Sequence, residues 1–215
     1  MSKTVRITEI FHSLQGEART VGIPTTFVRL TGCPLRCGYC DTEYAFSGGT
    51  VMSFDEVLHT VDDAGAQYVT VTGGEPLAQP NCWPLLVKLC DEGFSVSLET
   101  SGALSIADVD PRVSVVMDLK TPSSGEVARN DYENIRLLKK EDQVKFVIGD
   151  RQDFDWSVFK ASEFNLTARV SEVLFSPVFE SLHAATLAEW ILAEHLPVRM
   201  QIQLHKLLWG DKPGV

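Results

Sequence analysis

Short apolar runs alternate along the chain with longer stretches whose apolar residues recur three and four apart. Strands and crossover helices of a mostly parallel α/β sheet leave this pattern. It predicts strands over residues 5–10, 25–30, 68–71, 95–99, 114–119, 143–148, 173–177 and 199–204. Helical spacing falls at 53–64, 82–92, 130–140, 154–161 and 186–195. Ser53, with Glu56 three residues on, predicts a capping box at the first helix. Several strands end in turn residues: Thr72-Gly73-Gly74, Thr100-Ser101-Gly102, Lys120-Thr121-Pro122 and Ser176-Pro177. Ligands of parallel α/β sheets gather at these carboxyl-terminal strand edges. The polar segment 121–127, which carries Gly125, reads as the most flexible loop.

A full eight-unit barrel takes about 250 residues. At 215 residues, the expectation is a partial, open TIM-like barrel with abbreviated helices, one domain over residues 1–215. No apolar run approaches the ~20 residues needed to cross a bilayer. Residues 1–17 hold no long apolar stretch and no small-residue cleavage site, so no signal peptide is expected. The cytoplasm is the expected compartment. The net charge of −10 argues against a phosphate-backbone partner, which wants a basic stripe. The basic pairs are only Lys139–Lys140, read as the end of a solvated helix, and His205–Lys206. A small-molecule substrate fits better.

Cys33, Cys37 and Cys40 in TGCPLRCGYCDT carry the chemistry. Three thiolates at C-x3-C-x2-C spacing can hold three corners of an iron–sulfur cube and leave the fourth iron open to another ligand. Scattered core thiols are the bland alternative, but a run flanked by Gly32, Pro34 and Gly38 makes a poor core strand. Structural zinc wants four closed ligands, often as paired C-x2-C units, and His12 and His59 lack finger spacing. The odd cysteine count argues against a disulfide framework. Cys82 and Cys90 read as buried structural thiols.

The triad, with Tyr39 before its last cysteine, resembles the radical S-adenosylmethionine (SAM) superfamily. Gly73-Gly74-Glu75-Pro76 resembles that superfamily's contact with the SAM amino group. Further motifs narrow the likeness. They are Leu14-Gln15-Gly16-Glu17, Arg29, Cys40-Asp41-Thr42, Asp118-Leu119-Lys120-Thr121-Pro122-Ser123-Ser124-Gly125 and Gln203-Leu204-His205-Lys206. Together, over about residues 8–206, they resemble the 7-carboxy-7-deazaguanine synthase family. That resemblance implies conversion of 6-carboxy-5,6,7,8-tetrahydropterin to 7-carboxy-7-deazaguanine with release of ammonia, on the route to queuosine. It implies a [4Fe–4S] cluster on the three cysteines, SAM and Mg2+.

By motif, Leu14, Gln15, Gly16, Arg29 and Thr72 are expected to hold substrate, with Arg29 on its carboxylate. Thr42 is expected at Mg2+, although chemistry alone favours a local hydroxyl-to-backbone bond there. Tyr39, Asp41, Gly74, Asp118, Leu119, Lys120 and Ser176 are the expected SAM contacts. Relatives vary after Ser176, and some carry a longer insertion within the cysteine motif. Arg29, on an otherwise apolar strand, needs a buried partner. Glu99 closes a strand at the ligand edge, so it either accepts a hydrogen bond or transfers a proton. His205 has the same two readings, catalysis or substrate positioning. His12, His59, His183 and His195 read as surface or packed residues. A homodimer and an electron donor such as a flavodoxin complete the expectation. The alternatives are a glycyl-radical-activating enzyme, which shares the cysteine loop, and a metal-stabilised redox or binding module.

Overall fold

The computed structural model describes residues 3–210, 212, 214 and 215. In chain order they form β1 (Thr4–Leu14), β2 (Pro24–Leu30), β3 (Thr50–Ser53), α1 (Phe54–Asp63), β4 (Tyr68–Gly73) and α2 (Cys82–Asp91). There follow β5 (Ser95–Thr100), β6 (Ser114–Asp118), α3 (Asn134–Leu137), β7 (Gln143–Ile148), α4 (Arg151–Glu163) and α5 (Leu166–Arg169). The series closes with β8 (Glu172–Pro177), α6 (Ala184–Ala193), β9 (Arg199–Met200) and α7 (Leu204–Trp209). Among the described residues all nine strands join one sheet, in the order β3-β1-β2-β4-β5-β6-β7-β8-β9. β1 runs antiparallel to β2 and β3. Every pair from β2 to β9 is parallel. The two end strands do not meet, so the sheet is an open α/β barrel, as expected.

Strand alternation gives this sheet two unlike faces. Val28 and Leu30, Val69 and Val71, Val96 and Leu98, and Val144 and Phe146 belong to one core with Val57, Leu85, Leu89, Phe154 and Leu187 of the helices. Their sequence neighbours Arg29, Thr72, Glu99 and Lys145, together with Asp118 between Met117 and Leu119 of the same core, line a central cavity instead. The apolar face thus turns outward to the helices and the polar face inward, because successive side chains of a strand alternate. The β1–β2 connection folds into the barrel from one side. Gln15 N–H donates to Ile23 O at 2.9 Å, and Ala18 packs on Val116 and Leu174.

Ser53 caps α1 as its sequence predicts: Ser53 Oγ accepts from Glu56 N–H while Ser53 N–H donates to Glu56. Other expectations fail. The strand over 199–204 stops at Met200, and residues from Leu204 form α7. The ladder ends where Gln201 N–H turns to Phe175 O and Leu204 N–H bonds Gly16 O. The helix over 130–140 shrinks to the single turn α3. Asn134 is buried there, its side chain bonding Ile106 N–H and the carbonyls of Gly102 and Leu104. Lys139 bonds Val113 O and Asp142, so it does not end a solvated helix. The segment 121–127 is pinned, not free: it forms a 3-10 turn at Pro122–Ser124 with Thr121 and Ser124 buried. Cys82 is buried as expected, whereas Cys90, also expected to be buried, is only half-buried on the side of α2.

Candidate active site

A cavity of about 880 Å³ opens at the carboxyl ends of the parallel strands. Cys33, Cys37 and Cys40 are free and all line it. Their loop follows β2 and is held by backbone bonds at both ends. Gly32 N–H donates to Ala45 O at 2.8 Å and Gly38 N–H to Ser124 O at 2.9 Å. Burial pushes all three thiols up, so binding metal must displace protons. Among the described residues no three His, Cys, Asp or Glu side chains converge on a point as for a single ion. A cluster asks instead for soft thiols spread around several irons, and three free thiols on one cavity wall meet that demand.

The Gly-Gly-Glu-Pro turn lies directly behind this loop. A Cβ on Gly74 would stand 2.4 Å from Gly32 O and 2.7 Å from the Cys33 Cβ, so only glycine lets the two loops touch. Glu75 is wholly buried and ties the turn to β5. Its carboxylate accepts from Ser101 N–H at 2.7 Å, Thr100 Oγ1 at 2.9 Å, Ser101 Oγ at 2.5 Å and Leu77 N–H at 3.0 Å. The opposite support comes from α4, where the Asp153 carboxylate takes Ser123 N–H, Ser123 Oγ and Gly149 N–H.

On the same wall Tyr39 Oη lies 3.5 Å from Thr121 Oγ1. Burial, with Asp118 nearby, pushes the Tyr39 phenol up to about 12. Asp41 and Thr42 line the cavity, and the Thr42 hydroxyl donates to Asp41 Oδ1 at 2.7 Å rather than to backbone. Asp118 pairs with Lys120 at 3.1 Å and with Lys145 at 3.5 Å. Burial opposes the Asp118 charge, but the two ammoniums hold it below the usual range. Gly74 and Lys120 also border the cavity. Leu119 and Ser176, expected at SAM, stand apart: both are buried and neither is among the residues that line the cavity. Leu119 joins the outer core.

The other end of the cavity is built from β1, β2 and α7. Leu14, Gln15, Gly16, Arg29 and Thr72 all line it. The partner that Arg29 requires is Glu9, whose Oε1 takes Arg29 Nε at 2.7 Å and Tyr44 Oη at 2.8 Å. That bond uses one of the five guanidinium N–H groups. Phe11 and Phe27 stack at 4.9 Å beside it. Glu99 accepts from the Thr72 hydroxyl at 3.0 Å and the Gln15 amide at 3.4 Å. Burial, then the charge of Glu17, raises the Glu99 carboxyl. His205 packs so closely on Gly16 that a Cβ there would lie 2.1 Å from Nδ1. Burial lowers the His205 imidazole, favouring its neutral form. His12, His59, His183 and His195 are exposed and stand outside this cavity.

Sequence reasoning missed Glu17, Gln203 and Lys145 as a unit. Lys145 Nζ lies 2.6 Å from Glu17 Oε2, and Gln203 Nε2 donates to Glu17 Oε1 at 2.8 Å. The signal was present in β7: a lysine in a run of buried apolar residues demands a partner, as an arginine does in β2. Glu9 was missed because it meets Arg29 only through the antiparallel pairing of β1 with β2, where the two residues stand opposite each other.

Comparison with known proteins bears on this pocket. The radical SAM superfamily model matches residues 27–147. A 7-carboxy-7-deazaguanine synthase from Chlorobaculum tepidum is 44% identical over 98% of this chain and 97% of its own length. The Koribacter versatilis protein of that name is 41% identical over 95% of this chain and 97% of its own. The crystal structure of QueE from Escherichia coli superposes with a TM-score of 0.74 at 24% identity, covering 94% of this chain and 95% of that one. This last likeness concerns the fold.

Proposed function

Since the chain belongs to the 7-carboxy-7-deazaguanine synthase family of radical SAM enzymes, we propose that its pocket converts 6-carboxy-5,6,7,8-tetrahydropterin to 7-carboxy-7-deazaguanine and ammonia. The chain is a radical SAM enzyme of 7-deazapurine biosynthesis that uses a [4Fe–4S] cluster and SAM. Neither a glycyl-radical-activating enzyme nor a redox module is favoured, because the near-full-length relatives carry the synthase name. The single observation that carries the reading is the two-ended cavity. Three free thiols and the Gly74 turn form one end, and Arg29, Gln15 and Glu99 form the other.

At the cluster end Cys33, Cys37 and Cys40 hold the iron. Tyr39, Asp41, Gly74, Asp118 and Lys120 face SAM, whereas Leu119 and Ser176 stand outside the cavity and are not part of that contact set. When bound, cluster and SAM supply a radical able to abstract hydrogen. The chain's own part is binding and proton handling. Leu14, Gln15, Gly16 and Thr72 orient the pterin. Arg29 takes its carboxylate on the N–H groups that Glu9 leaves open, and the Phe11–Phe27 stack offers an apolar wall. Thr42, beside the Asp41 carboxylate, offers hard oxygen donors for Mg2+. Glu99 and His205 handle protons at the substrate. The enzyme works as one radical SAM domain over residues 1–215, as a homodimer in the cytoplasm, reduced by a donor such as a flavodoxin. Among the described residues no helix is long and apolar enough to cross a membrane.

The test is anaerobic turnover of the reconstituted enzyme with pterin deuterated at C6. Deazaguanine product with deuterium appearing in the SAM pool is expected. Inert pterin, together with a stable glycyl radical on an added partner protein, would overturn the reading.

A further inference from the structure

Two inward-facing glutamates share the substrate end of the cavity, and their neighbours differ in kind. Both oxygens of Glu17 are engaged by groups held on other elements, an ammonium from β7 and an amide from the turn before α7. Among the described residues, the donors to Glu99 are both neutral, a hydroxyl and an amide. Lys145 is itself enclosed, with 12% of its side chain exposed, and its second contact is Asp118 at 3.5 Å.

We propose that Lys145 is a positioning residue that divides the labour between these carboxyls: by bonding Glu17 it fixes that group as an anion, and it leaves Glu99 to carry the proton. This rests on reading the cavity as the synthase's substrate site. The chemistry needs such a division. Release of ammonia breaks a C–N bond whose electron pair leaves on nitrogen, and that nitrogen must gain a proton. The substrate must also lose a proton from carbon as the new ring double bond forms. One carboxyl that gives the first proton and takes the second ends where it began, with no outside oxidant or reductant. Two carboxyls sharing one cavity separate into acid and anion when their surroundings differ.

The charged groups around the pair agree. Glu17 faces Lys145, His205 and Glu99; although burial opposes its charge, Lys145 and Gln203 pull it below the usual carboxylate range. Glu99 faces Glu17, Lys145 and Arg29, and burial with the Glu17 charge raises it. Burial opposes the Lys145 charge, yet Glu17, Asp118 and Glu99 hold it well above the usual lysine range.

The experiment compares wild type, Lys145→Met and Lys145→Arg as cluster-loaded enzymes with glutamate 13C-labelled at the side-chain carboxyl. Infrared spectra at neutral pH count protonated glutamates, and steady-state kinetics run alongside. Wild type should show the Glu99 acid, identified by its loss in Glu99→Gln. Lys145→Met should gain a second acid, absent when Glu17→Gln is added, and kcat should fall at least about 100-fold, the lower range for a lost acid–base group. Lys145→Arg should keep the wild-type spectrum and most of kcat. A Lys145→Met enzyme with an unchanged spectrum and a raised KM alone would make Lys145 a plain substrate contact and overturn the proposal. If Lys145→Met does not load its cluster, Glu17→Gln decides: wild-type kcat overturns the proposal, and a fall of at least about 100-fold supports it. Should wild type fail to convert the pterin, the functional reading falls, while the carboxyl spectra still test the Lys145 bond.

Discussion

Replacing Glu75 by alanine should disable the site without touching any group that meets substrate. Four donors converge on its carboxylate, from Leu77, Thr100 and Ser101, all in the protein interior. Each buried donor left without a partner costs at least about 1 kcal/mol, so the four together cost on the order of 4 kcal/mol. In a chain of this size each kcal/mol moves Tm by roughly 2–4 °C, giving a fall of about 8–16 °C. The effect reaches the cluster loop because Glu75 N–H also donates to Gly32 O at 2.8 Å. SAM affinity and iron content should therefore fall together. Anaerobic urea unfolding gives the stability term, and equilibrium dialysis with labelled SAM gives the affinity. Glu75→Gln should fall between the two, since its amide keeps one acceptor but turns an NH2 group toward donors. A stability loss under about 1 kcal/mol in Glu75→Ala, with SAM bound as in wild type, would refute the bracing role.

Arg29→Ala should weaken pterin binding by on the order of 2–5 kcal/mol, the range for truncating one partner of a hydrogen-bonded charge pair; Arg29→Lys should not restore it, because an ammonium cannot serve Glu9 and a carboxylate in fork geometry, and anaerobic calorimetry checks both. Gly16→Ala should cut kcat/KM by about 100-fold, the scale of a 1 Å misplacement, through the clash with His205; Gly16→Ala in a His205→Ala background should then add little, and additive losses would contradict the contact. Glu99 titrates higher in the folded state than unfolded, so its contribution to stability is present below the ordinary carboxylate range and is lost as pH rises through its raised value. Glu99→Gln should therefore stabilise the protein in urea melts above that value and not at acid pH; a pH-independent difference would contradict the shift.

The inner strands were legible from sequence because their apolar face is one continuous core, and runs such as residues 143–148 have a single way to bury it, whereas the edge strand β3, with half of its residues exposed, leaves no such run. The cysteine loop and the Gly74 turn were legible because residue type and spacing carry their chemistry locally. What escaped depends on contacts between distant segments. No local pattern around residue 204 says that the chain leaves the sheet, since Leu204 N–H finds its acceptor at Gly16. The helix over 130–140 has acceptable spacing, yet Asp131 N–H bonds Gly102 O and Lys139 N–H bonds the Asp142 carboxylate, so the backbone leaves the helical ladder on both sides of Asn134–Leu137. Lys145 and Glu17 became meaningful only as a pair, drawn from opposite parts of the chain.

The contacts that close the barrel on its open side have a consequence for how the enzyme is made. Ala18 N–H meets Gln201 and Gln203 meets Glu17, across separations of 183 and 186 residues. At about 5–20 residues per second, residue 203 is added roughly 10–40 s after residue 17. Through that interval the inner strands can pair with their sequence neighbours, while Glu17 waits without its amide partner and the pterin end lacks a wall. A nascent chain therefore has its cluster ligands well before it has a substrate chamber. An early-loaded cofactor would sit beside open solvent until the last segment docks.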